Sequence, residues 1–461
     1  QSHIRWQFLS SSEKPRDKAP KAECRWHSMG AIEMMRIPTI TRRILGATLL
    51  SLIVSTAFTV EPALAQDRSL KVWFGRDNFI PEDKFTAFRA EYPDINVEFE
   101  TIRLEDVNAQ LILALRSGNA PDIVQIHARD VAQLAKGGVV KNFSHMIDEW
   151  KQRFPETYGQ LAPLAWEGAS DSDGNIYGVA LYAQSIYLTY RTDWLDEAGI
   201  AYPLETTDRV LEAAKALSTL PGGGDRAGFS LLGCCNSPTW ELPLFLSMGG
   251  KVINGVPQID TPIGIEWIEF YQELMRSQAA HPDTPSWDSG QMRAAFIGER
   301  AGIMNEGEHI YVEVHKQLPY GDGKWAFERL PTRPGQTEPH VQSGFAFPFI
   351  VTSENKDEEA AMLALEYLSR PDFAKQVAVR YQPSTNAAVS EDAEYLAAKP
   401  WAKDIVGLSS NLVSLPTHPT KAIQIFDVLK ELRNQMVAEP DADSATMAAE
   451  AQAALNAAAG L

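Results

Sequence analysis

Three short apolar runs stand out in the pattern of apolar and polar positions that begins near residue 70. They cover residues 70–74, 97–101 and 123–126, and each has the length of a buried strand. Two segments in which apolar residues recur at helical spacing separate the runs. This order predicts a βαβαβ unit, and the loops that follow its parallel strands are expected to line a crevice.

The two helices of this unit are predicted from their apolar faces. Pro81 suits the first turn of a helix, and Phe85, Phe88 and Tyr92 then fall on one face. The second helix is marked by Val107, Leu111 and Leu115. Both patterns are typical of an amphipathic helix that packs on a sheet.

Further helices and turns are predicted along the rest of the chain. Thr206 is a candidate N-cap for a helix that ends before Pro221. Helical spacing also predicts an alanine-rich C-terminal helix and helices over residues 264–276, 356–368, 372–381 and 420–437. Asp173, Gly174 and Asn175 form a turn signal; a calcium loop is the alternative, but its full ligand pattern is absent. The fold class is therefore predicted to be α/β.

A different pattern precedes the first strand. Basic residues, an apolar stretch over residues 44–60 and small residues before the bond that follows Ala65 have the order of a secretory signal peptide. We expect residues 34–65 to be a signal peptide cleaved after Ala65, and residues 1–33 to be an unstructured upstream segment. A membrane anchor is the alternative, although small polar residues dilute the apolar stretch and it ends early.

Length and charge narrow the function classes. About 400 residues follow the predicted cleavage site, which exceeds a usual single domain and predicts two lobes. The whole chain carries 60 acidic and 42 basic residues, a net charge of −18. Because so acidic a surface repels phosphate backbones and anionic lipids, we expect no nucleic-acid partner. No later apolar run approaches the length of a transmembrane helix.

Cysteine is scarce after the leader, where only the adjacent residues Cys234 and Cys235 are found. Two small buried thiols are the preferred interpretation, because a bond between neighbouring cysteines strains the peptide between them. A vicinal disulfide is the alternative, which an oxidising compartment would permit.

Common catalytic motifs are missing from the sequence. It contains no nucleophile elbow, P-loop, dinucleotide fingerprint or zinc-type pair of histidines. We therefore predict no cofactor and no metal. Carboxylates are abundant, so a glycosidase-type carboxylate pair stays open.

Four stretches after the leader carry a family resemblance. They are residues 70–77, residues 117–123 with the following Gly137-Gly138 pair, residues 174–200 and residues 296–304. Together they resemble the extracellular solute-binding proteins of the carbohydrate class, the maltose-binding-protein-like components of ABC importers. The resemblance extends over nearly the whole mature chain.

This resemblance implies the two-lobed periplasmic binding protein fold of type II, in which each lobe is a sheet flanked by helices and a hinge joins the lobes. Lobe 1 is predicted to comprise residues 66–183 plus 342–398, and lobe 2 residues 184–341 plus 399–461. Hinge crossings are predicted near residues 182–185, 342–344 and 399–403.

The resemblance also implies which residues bind the ligand. Matched position by position, they are Arg76, Asp77, His127, Arg129, Asp130, Gln184, Asn236, Trp240, Glu308 and His309. Sugars present apolar ring faces and many hydroxyl groups, so their sites need aromatic rings and planar polar side chains. His309 stands where the family usually has a tryptophan platform, and this departure favours a smaller or more polar ligand.

Seven of these ten residues also have a structural alternative. Asp77 and Asp130 fit helix N-caps, and Arg76 and Arg129 fit surface charges. Trp240 precedes an apolar helix and fits a core position. The two histidines fit structural roles as well as ligand contacts.

The resemblance implies a binding protein rather than an enzyme. We expect a monomer in the periplasm that captures a carbohydrate or polyol between its lobes and delivers it to the membrane permease of an ABC importer. A disaccharide, a polyol, a glycerol phosphodiester and another small polar solute all stay open as ligands. The alternative function is a secreted carbohydrate-active enzyme that uses a carboxylate pair.

Overall fold

Strands and helices alternate along the part of the chain that the computed structural model describes, residues 68–221, 226–234, 241–408 and 412–461. The strands are β1 (Arg68–Phe74), β2 (Ile95–Thr101), β3 (Ile123–Gln125), β4 (Gly178–Tyr190), β5 (Ala227–Ser230), β6 (Val252–Ile253), β7 (Val256–Pro257), β8 (Ala301–Gly307), β9 (Ala326–Glu328), β10 (Gln342–Val351) and β11 (Leu412–Ser414). The first nine helices are α1 (Thr86–Glu91), α2 (Val107–Arg116), α3 (Val131–Lys136), α4 (Ser144–Arg153), α5 (Pro155–Gln160), α6 (Pro163–Glu167), α7 (Thr192–Ala198), α8 (Thr207–Ser218) and α9 (Glu241–Ser247). The later helices are α10 (Pro262–Arg276), α11 (Ser289–Ile297), α12 (Tyr311–Gln317), α13 (Glu358–Ser369), α14 (Pro371–Arg380), α15 (Ala387–Ser390), α16 (Ala393–Ala398), α17 (Ala402–Leu408), α18 (Ala422–Ala438) and α19 (Ser444–Ala459).

Most of the strands form one mixed sheet in the order β2-β1-β3-β10-β4-β8-β5, with β11 beside β10 and β9 beside β4. β1 pairs in parallel with both β2 and β3, whereas β10 runs antiparallel to β3 and β4. The predicted βαβαβ unit is therefore confirmed.

The long strand β4 connects two parts of this sheet. Its residues from Gly178 to Ser185 pair with β10, and those from Ile186 to Tyr190 pair with β8. We call β2, β1, β3, β10 and the start of β4 the first half-sheet, and the end of β4 with β8, β9 and β5 the second half-sheet. The hinge crossings predicted near residues 182–185 and 342–344 lie on β4 and β10, and the one near residues 399–403 lies where α16 is followed by α17. Their role as a hinge stays a prediction.

Each half-sheet has its own hydrophobic core. The core of the first half-sheet consists of buried apolar side chains that come from residues 70–182 and 349–377. Phe74, Phe88 and Trp150 are among its fully buried members. The largest core of the second half-sheet comes from residues 186–347 and 415–455, together with Leu104. Because cysteine is scarce, disulfides contribute little to stability. The burial of apolar side chains in these large cores is the main stabilising contribution.

Two predicted element boundaries need correction. α1 begins at Thr86 rather than at Pro81, because Phe85 adopts a left-handed conformation with φ of 64° and interrupts the helix. Phe85 is nevertheless buried. Thr206 precedes α8 as predicted, but its hydroxyl donates to Asp208 instead of accepting a helix N–H.

The predicted turn at residues 173–175 is held by Asp171. Its Oδ1 accepts hydrogen bonds from the backbone N–H groups of Asp173 and Asn175, both at 3.0 Å. A single antiparallel bridge joins Ser170 to Ile176 across the turn. Among the described residues, no group of three or more His, Cys, Asp or Glu side chains is placed to hold a metal ion.

Short 3-10 turns follow three strands at the centre of the sheet and carry predicted site residues. They are Asp77–Phe79 after β1, Ala128–Asp130 after β3 and Glu308–Ile310 after β8. The predicted signal peptide, residues 34–65, lies outside the described residues. No helix in the described ranges combines the length and the apolar character that crossing a membrane requires.

Candidate functional site

A cavity of about 450 Å³ opens where the turns after β1, β3 and β8 meet. Its volume lies within the range of roughly 300–1,000 Å³ found for small-molecule sites. The wall includes six of the predicted ligand-binding residues, namely Arg76, His127, Arg129, Asp130, Gln184 and His309. The other lining residues are Phe79, Arg103, Leu104, Glu105, Asp106, Asn108, Asp288, Ser289, Arg293, Phe345, Phe347, Tyr381, Gln382, Ile423, Phe426, Asp427 and Lys430.

Arg76 and Asp77 follow β1 but differ in position. Arg76 lines the cavity, with its guanidinium 5.9 Å from the centre of the Tyr381 ring and a terminal nitrogen 3.6 Å from a carboxylate oxygen of Glu105. Asp77 is exposed and outside the lining, and its Oδ1 accepts a hydrogen bond of 2.5 Å from the hydroxyl of Thr101. Asp77 therefore has a structural partner rather than a place on the cavity wall.

The turn after β3 brings three predicted residues to the wall. Asp130 is buried, and its Oδ2 accepts a hydrogen bond of 2.9 Å from the amide of Asn108. Burial raises the pKa of Asp130. Asp130 occupies the N-cap position of α3, as its structural alternative predicts, but its side chain makes no capping hydrogen bond there. Burial also lowers the pKa of His127 and, with Arg129 and Arg76 nearby, keeps that ring neutral at pH 7.

His309 is held by a chain of polar contacts from the second half-sheet. The Nε of Arg293 donates to Glu306 at 2.6 Å, and a terminal nitrogen of Arg293 lies 3.1 Å from His309 Nε2. Because a guanidinium can only donate, Nε2 is the acceptor and the neutral ring carries its hydrogen on Nδ1. Burial and the positive charge of Arg293 lower the pKa of His309. Neither His309 Nδ1 nor Gln184 Oε1 has a hydrogen-bond partner among the described residues.

Glu308 lies beside the cavity wall rather than on it. It is buried, and its carboxylate accepts a hydrogen bond of 3.3 Å from the backbone N–H of Ser185. Burial raises the pKa of Glu308 to about 8, and the nearby Lys399 opposes this rise. Lys399 donates to the backbone oxygen of Tyr381 at 2.7 Å, and burial lowers its pKa to about 7.

Three of the singled-out residues, Asn236, Trp240 and Cys235, lie outside the described residues. Cys234 is described and is disulfide-bonded, so the preferred interpretation of a free thiol is wrong for this residue. Asn236 and Trp240 stay predictions.

Sequence reasoning missed a large part of the wall. α18 contributes Phe426, Asp427 and Lys430, although it was predicted only as an amphipathic helix. Phe345 and Phe347 come from β10, where their alternate spacing puts both rings on the same face of the strand. This alternation was a signal that could have identified them, whereas nothing in the sequence indicated α18.

The rim of the cavity contains contacts between α3 and α18. The side-chain amide of Gln133 donates to Gln424 at 3.3 Å and accepts a hydrogen bond of 3.2 Å from the backbone N–H of Ile423. Arg129 lies 4.8 Å from the centre of the Phe426 ring. These contacts join α3 and the turn after β3 to α18, which packs in the core of the second half-sheet.

Family comparison identifies the class of protein. The model of the bacterial extracellular solute-binding protein family matches residues 76–375. This chain belongs to that family. The match confirms the resemblance seen in the sequence, and it places the chain among binding proteins that act outside the cytoplasm.

Individual family relatives are distant in sequence. A lactose-binding protein from Rhizobium radiobacter is 23% identical over 352 residues, which cover 70% of this chain and 77% of the relative. A binding protein from Brucella abortus is 24% identical over 296 residues, which cover 63% of this chain and 69% of the relative.

Solved structures show the same fold at low sequence identity. The GacH receptor of Streptomyces glaucescens, solved without ligand and with acarbose, aligns with a TM-score of 0.72 and 18% identity over 86% of this chain and 99% of the receptor. The maltose-bound MalE3 of T. maritima aligns with a TM-score of 0.71 and 19% identity over 84% of this chain and 99% of that protein. A ribitol-bound solute-binding protein from Agrobacterium radiobacter aligns with a TM-score of 0.71 and 17% identity over 84% of this chain and 98% of that protein. The fold is thus the predicted type II periplasmic binding protein fold.

Proposed function

We propose that this protein is the substrate-binding component of an ABC importer for a sugar or a polyol. It captures the ligand in the cavity between its lobes and delivers it to a membrane permease. The observation that carries the proposal is the lining of the cavity, which combines aromatic rings with planar polar side chains. Such rings stack on the apolar faces of a sugar, while amides, carboxylates and guanidinium groups bind its hydroxyls.

The lobe assignment belongs to this proposal. Lobe 1 comprises residues 66–183 plus 342–398, and lobe 2 comprises residues 184–341 plus 399–461. The crossings near residues 182–185, 342–344 and 399–403 act as the hinge. Closure brings groups of both lobes to the same hydroxyls and excludes water, which strengthens each hydrogen bond. The protein acts as a periplasmic monomer after a signal peptide has been cleaved following Ala65.

The names of related proteins support a ligand of this class. Relatives or structural neighbours are described as binding lactose, maltose, acarbose and ribitol. Another relative, from Pyrococcus horikoshii, is described as the extracellular binding protein of an ABC transporter.

Native mass spectrometry and calorimetry test the proposal. Protein purified from the periplasm is expected to retain or to bind a saccharide or polyol, and maltose, lactose, ribitol and D-mannitol are suitable first probes. Tyr381→Leu should weaken binding of the identified ligand by about 1–3 kcal/mol, because the cavity loses an aromatic surface. Tyr202→Leu, at an exposed tyrosine outside the cavity, is the matched control.

Two outcomes would contradict the proposal. Equal affinities of wild type and Tyr381→Leu would mean that the ligand binds elsewhere. Steady release of sugar from an oligosaccharide by the purified protein would favour the alternative, a carbohydrate-active enzyme with a carboxylate pair.

A further inference from the structure

Arg129 has three carboxylates in its electrostatic surroundings, those of Asp130, Glu105 and Asp427, but makes no hydrogen bond to any of them. Its side chain is only 14% exposed, and its nearest carboxylate contact is Nε to Asp130 Oδ1 at 3.7 Å, beyond hydrogen-bond distance. The other oxygen of Asp130 is occupied by Asn108. Within the described part of the chain, no hydrogen bond reaches the two terminal nitrogens of Arg129, and its guanidinium rests against the ring of Phe426. A guanidinium that lines a cavity and donates to no protein acceptor is open to acceptors that a ligand supplies.

A second cation lies on the neighbouring turn. Arg76 follows β1 and Arg129 follows β3, and these two strands pair in parallel, so their turns meet at the same edge of the sheet. The nearest carboxylate oxygen to Arg76 is 3.6 Å away on Glu105. The charge of Arg76 contributes to lowering the pKa of both His127 and His309, so both rings stay neutral within a positive environment.

The carboxylates of the wall are already engaged by neighbouring groups. Asp288 accepts the backbone N–H groups of Gly290 and Gln291 as the N-cap of α11. Asp427 lies 3.6 Å from Lys430, and Glu105 is shared between Arg76 at 3.6 Å and Arg103 at 3.7 Å. Arg293 is neutralised by Glu306. Arg129 is the most deeply buried of the wall cations that make no side-chain hydrogen bond, and its donors are left for a ligand.

We propose that the ligand of this cavity is a sugar or polyol derivative that carries an oxyanion, and that Arg129 binds this oxyanion with both terminal nitrogens while Arg76 adds a second positive charge. The planar fork of a guanidinium matches two oxygens of a carboxylate or a phosphate, and such charge-assisted pairs are the stronger hydrogen bonds. A hydroxyl group can accept from Arg129 but cannot balance its charge. This inference rests on the proposed function, because it assigns a chemical class to the ligand of the same cavity.

Calorimetry with matched probes tests the charge of the ligand. The pairs are D-glucose with D-glucuronate and D-galactose with D-galacturonate, and D-glucose 6-phosphate is the phosphate arm. We expect an acidic probe to bind at least tenfold more tightly than its neutral partner. The carboxylate and phosphate arms then tell which oxyanion the site takes.

Variants at Arg129 test the residue itself. Arg129→Gln should lower the affinity for the acidic probe by about 10- to 100-fold and the affinity for the neutral partner by a much smaller factor, because a hydroxyl loses a weaker hydrogen bond than an oxyanion does. Arg129→Lys keeps the positive charge but loses the planar fork of the guanidinium. Its affinity for the acidic probe should therefore lie between those of the wild type and Arg129→Gln. Arg116→Gln, at an exposed position on α2, is the control, and melts of the ligand-free variants establish that each is folded.

The outcomes separate this inference from the proposed function. Neutral probes that bind as tightly as acidic ones, or an equal loss for both in Arg129→Gln, overturn the oxyanion while the sugar-binding function stands. If the protein neither carries nor binds any saccharide or polyol, charged or neutral, the proposed function fails and this inference fails with it.

Discussion

The buried residues Glu308 and Lys399 make stability depend on pH at the scale of single side chains. Burial raises the pKa of Glu308 to about 8 from an ordinary value of 4.5. The folded protein therefore binds a proton more tightly than the unfolded chain does between these two pH values. The stabilisation that this proton gives is complete below pH 4.5 and is lost as the pH rises towards 8.

Glu308→Gln should remove this pH dependence. Between pH 5 and 6.5, the free energy of unfolding of the wild type should fall by about 2 kcal/mol relative to that of the variant. The reason is that unfolding releases about one proton from Glu308 at every pH in this interval. Lys399 contributes little there, because its lowered pKa of about 7 leaves it mostly protonated in both states. Urea unfolding at both pH values measures the difference, with Glu313→Gln at an exposed position of α12 as control. Parallel pH profiles for wild type and Glu308→Gln would contradict the prediction.

Single residues were predictable where they follow a strand and unpredictable where their partner is distant in sequence. The turns after β1 and β3 brought Arg76 and Arg129 to one edge of the first half-sheet, because these strands are parallel. His309 follows β8 of the second half-sheet, and only the family resemblance pointed to it. The support of His309 by Arg293, and the burial of Glu308 beside Lys399, depend on how separate elements pack. No local sequence pattern carries that information.

At the scale of elements, Gly228 fixes how closely β5 approaches α8. A Cβ atom at this position would lie 1.7 Å from the backbone oxygen of Ala214. The strand and the helix therefore touch through their backbones, and any side chain would push them apart.

Gly228→Ala should lower the free energy of unfolding by about 2–4 kcal/mol, because backbone atoms cannot yield as a flexible side chain would. Gly159→Ala in α5 is the matched control, since a Cβ atom there meets nothing within 4 Å. That variant should be neutral or slightly stabilising. Thermal and urea unfolding compare the two, and equal stabilities would show that β5 can shift without cost.

Element types were more predictable than element boundaries or contributions to the site. Helical spacing predicted α10, α13, α14 and α18 within a few residues. It misjudged the start of α1, because the left-handed conformation of Phe85 is invisible in an apolar pattern. It also gave no sign that α18 forms part of the cavity wall, since that depends on where the helix packs.

At the scale of the whole molecule, the contact between α3 and α18 should hold the closed cavity together. Gln133→Ala removes both hydrogen bonds that this side chain makes to α18. Partly exposed bonds of this kind contribute about 1 kcal/mol together, so the ligand should dissociate roughly fivefold faster. Stopped-flow release of the identified ligand measures the rate, and Gln110→Ala at an exposed position of α2 is the control. An unchanged release rate would mean that closure does not depend on this contact.

Along the sequence, the first residue of the cavity wall is Arg76 and the last is Lys430. A ribosome adds about 5–20 residues per second, so Lys430 is made roughly 20–70 s after Arg76. During that interval the segment that becomes α18 is missing, and the emerging chain has only part of its wall. The complete wall becomes available only to a chain that has been extended through Lys430.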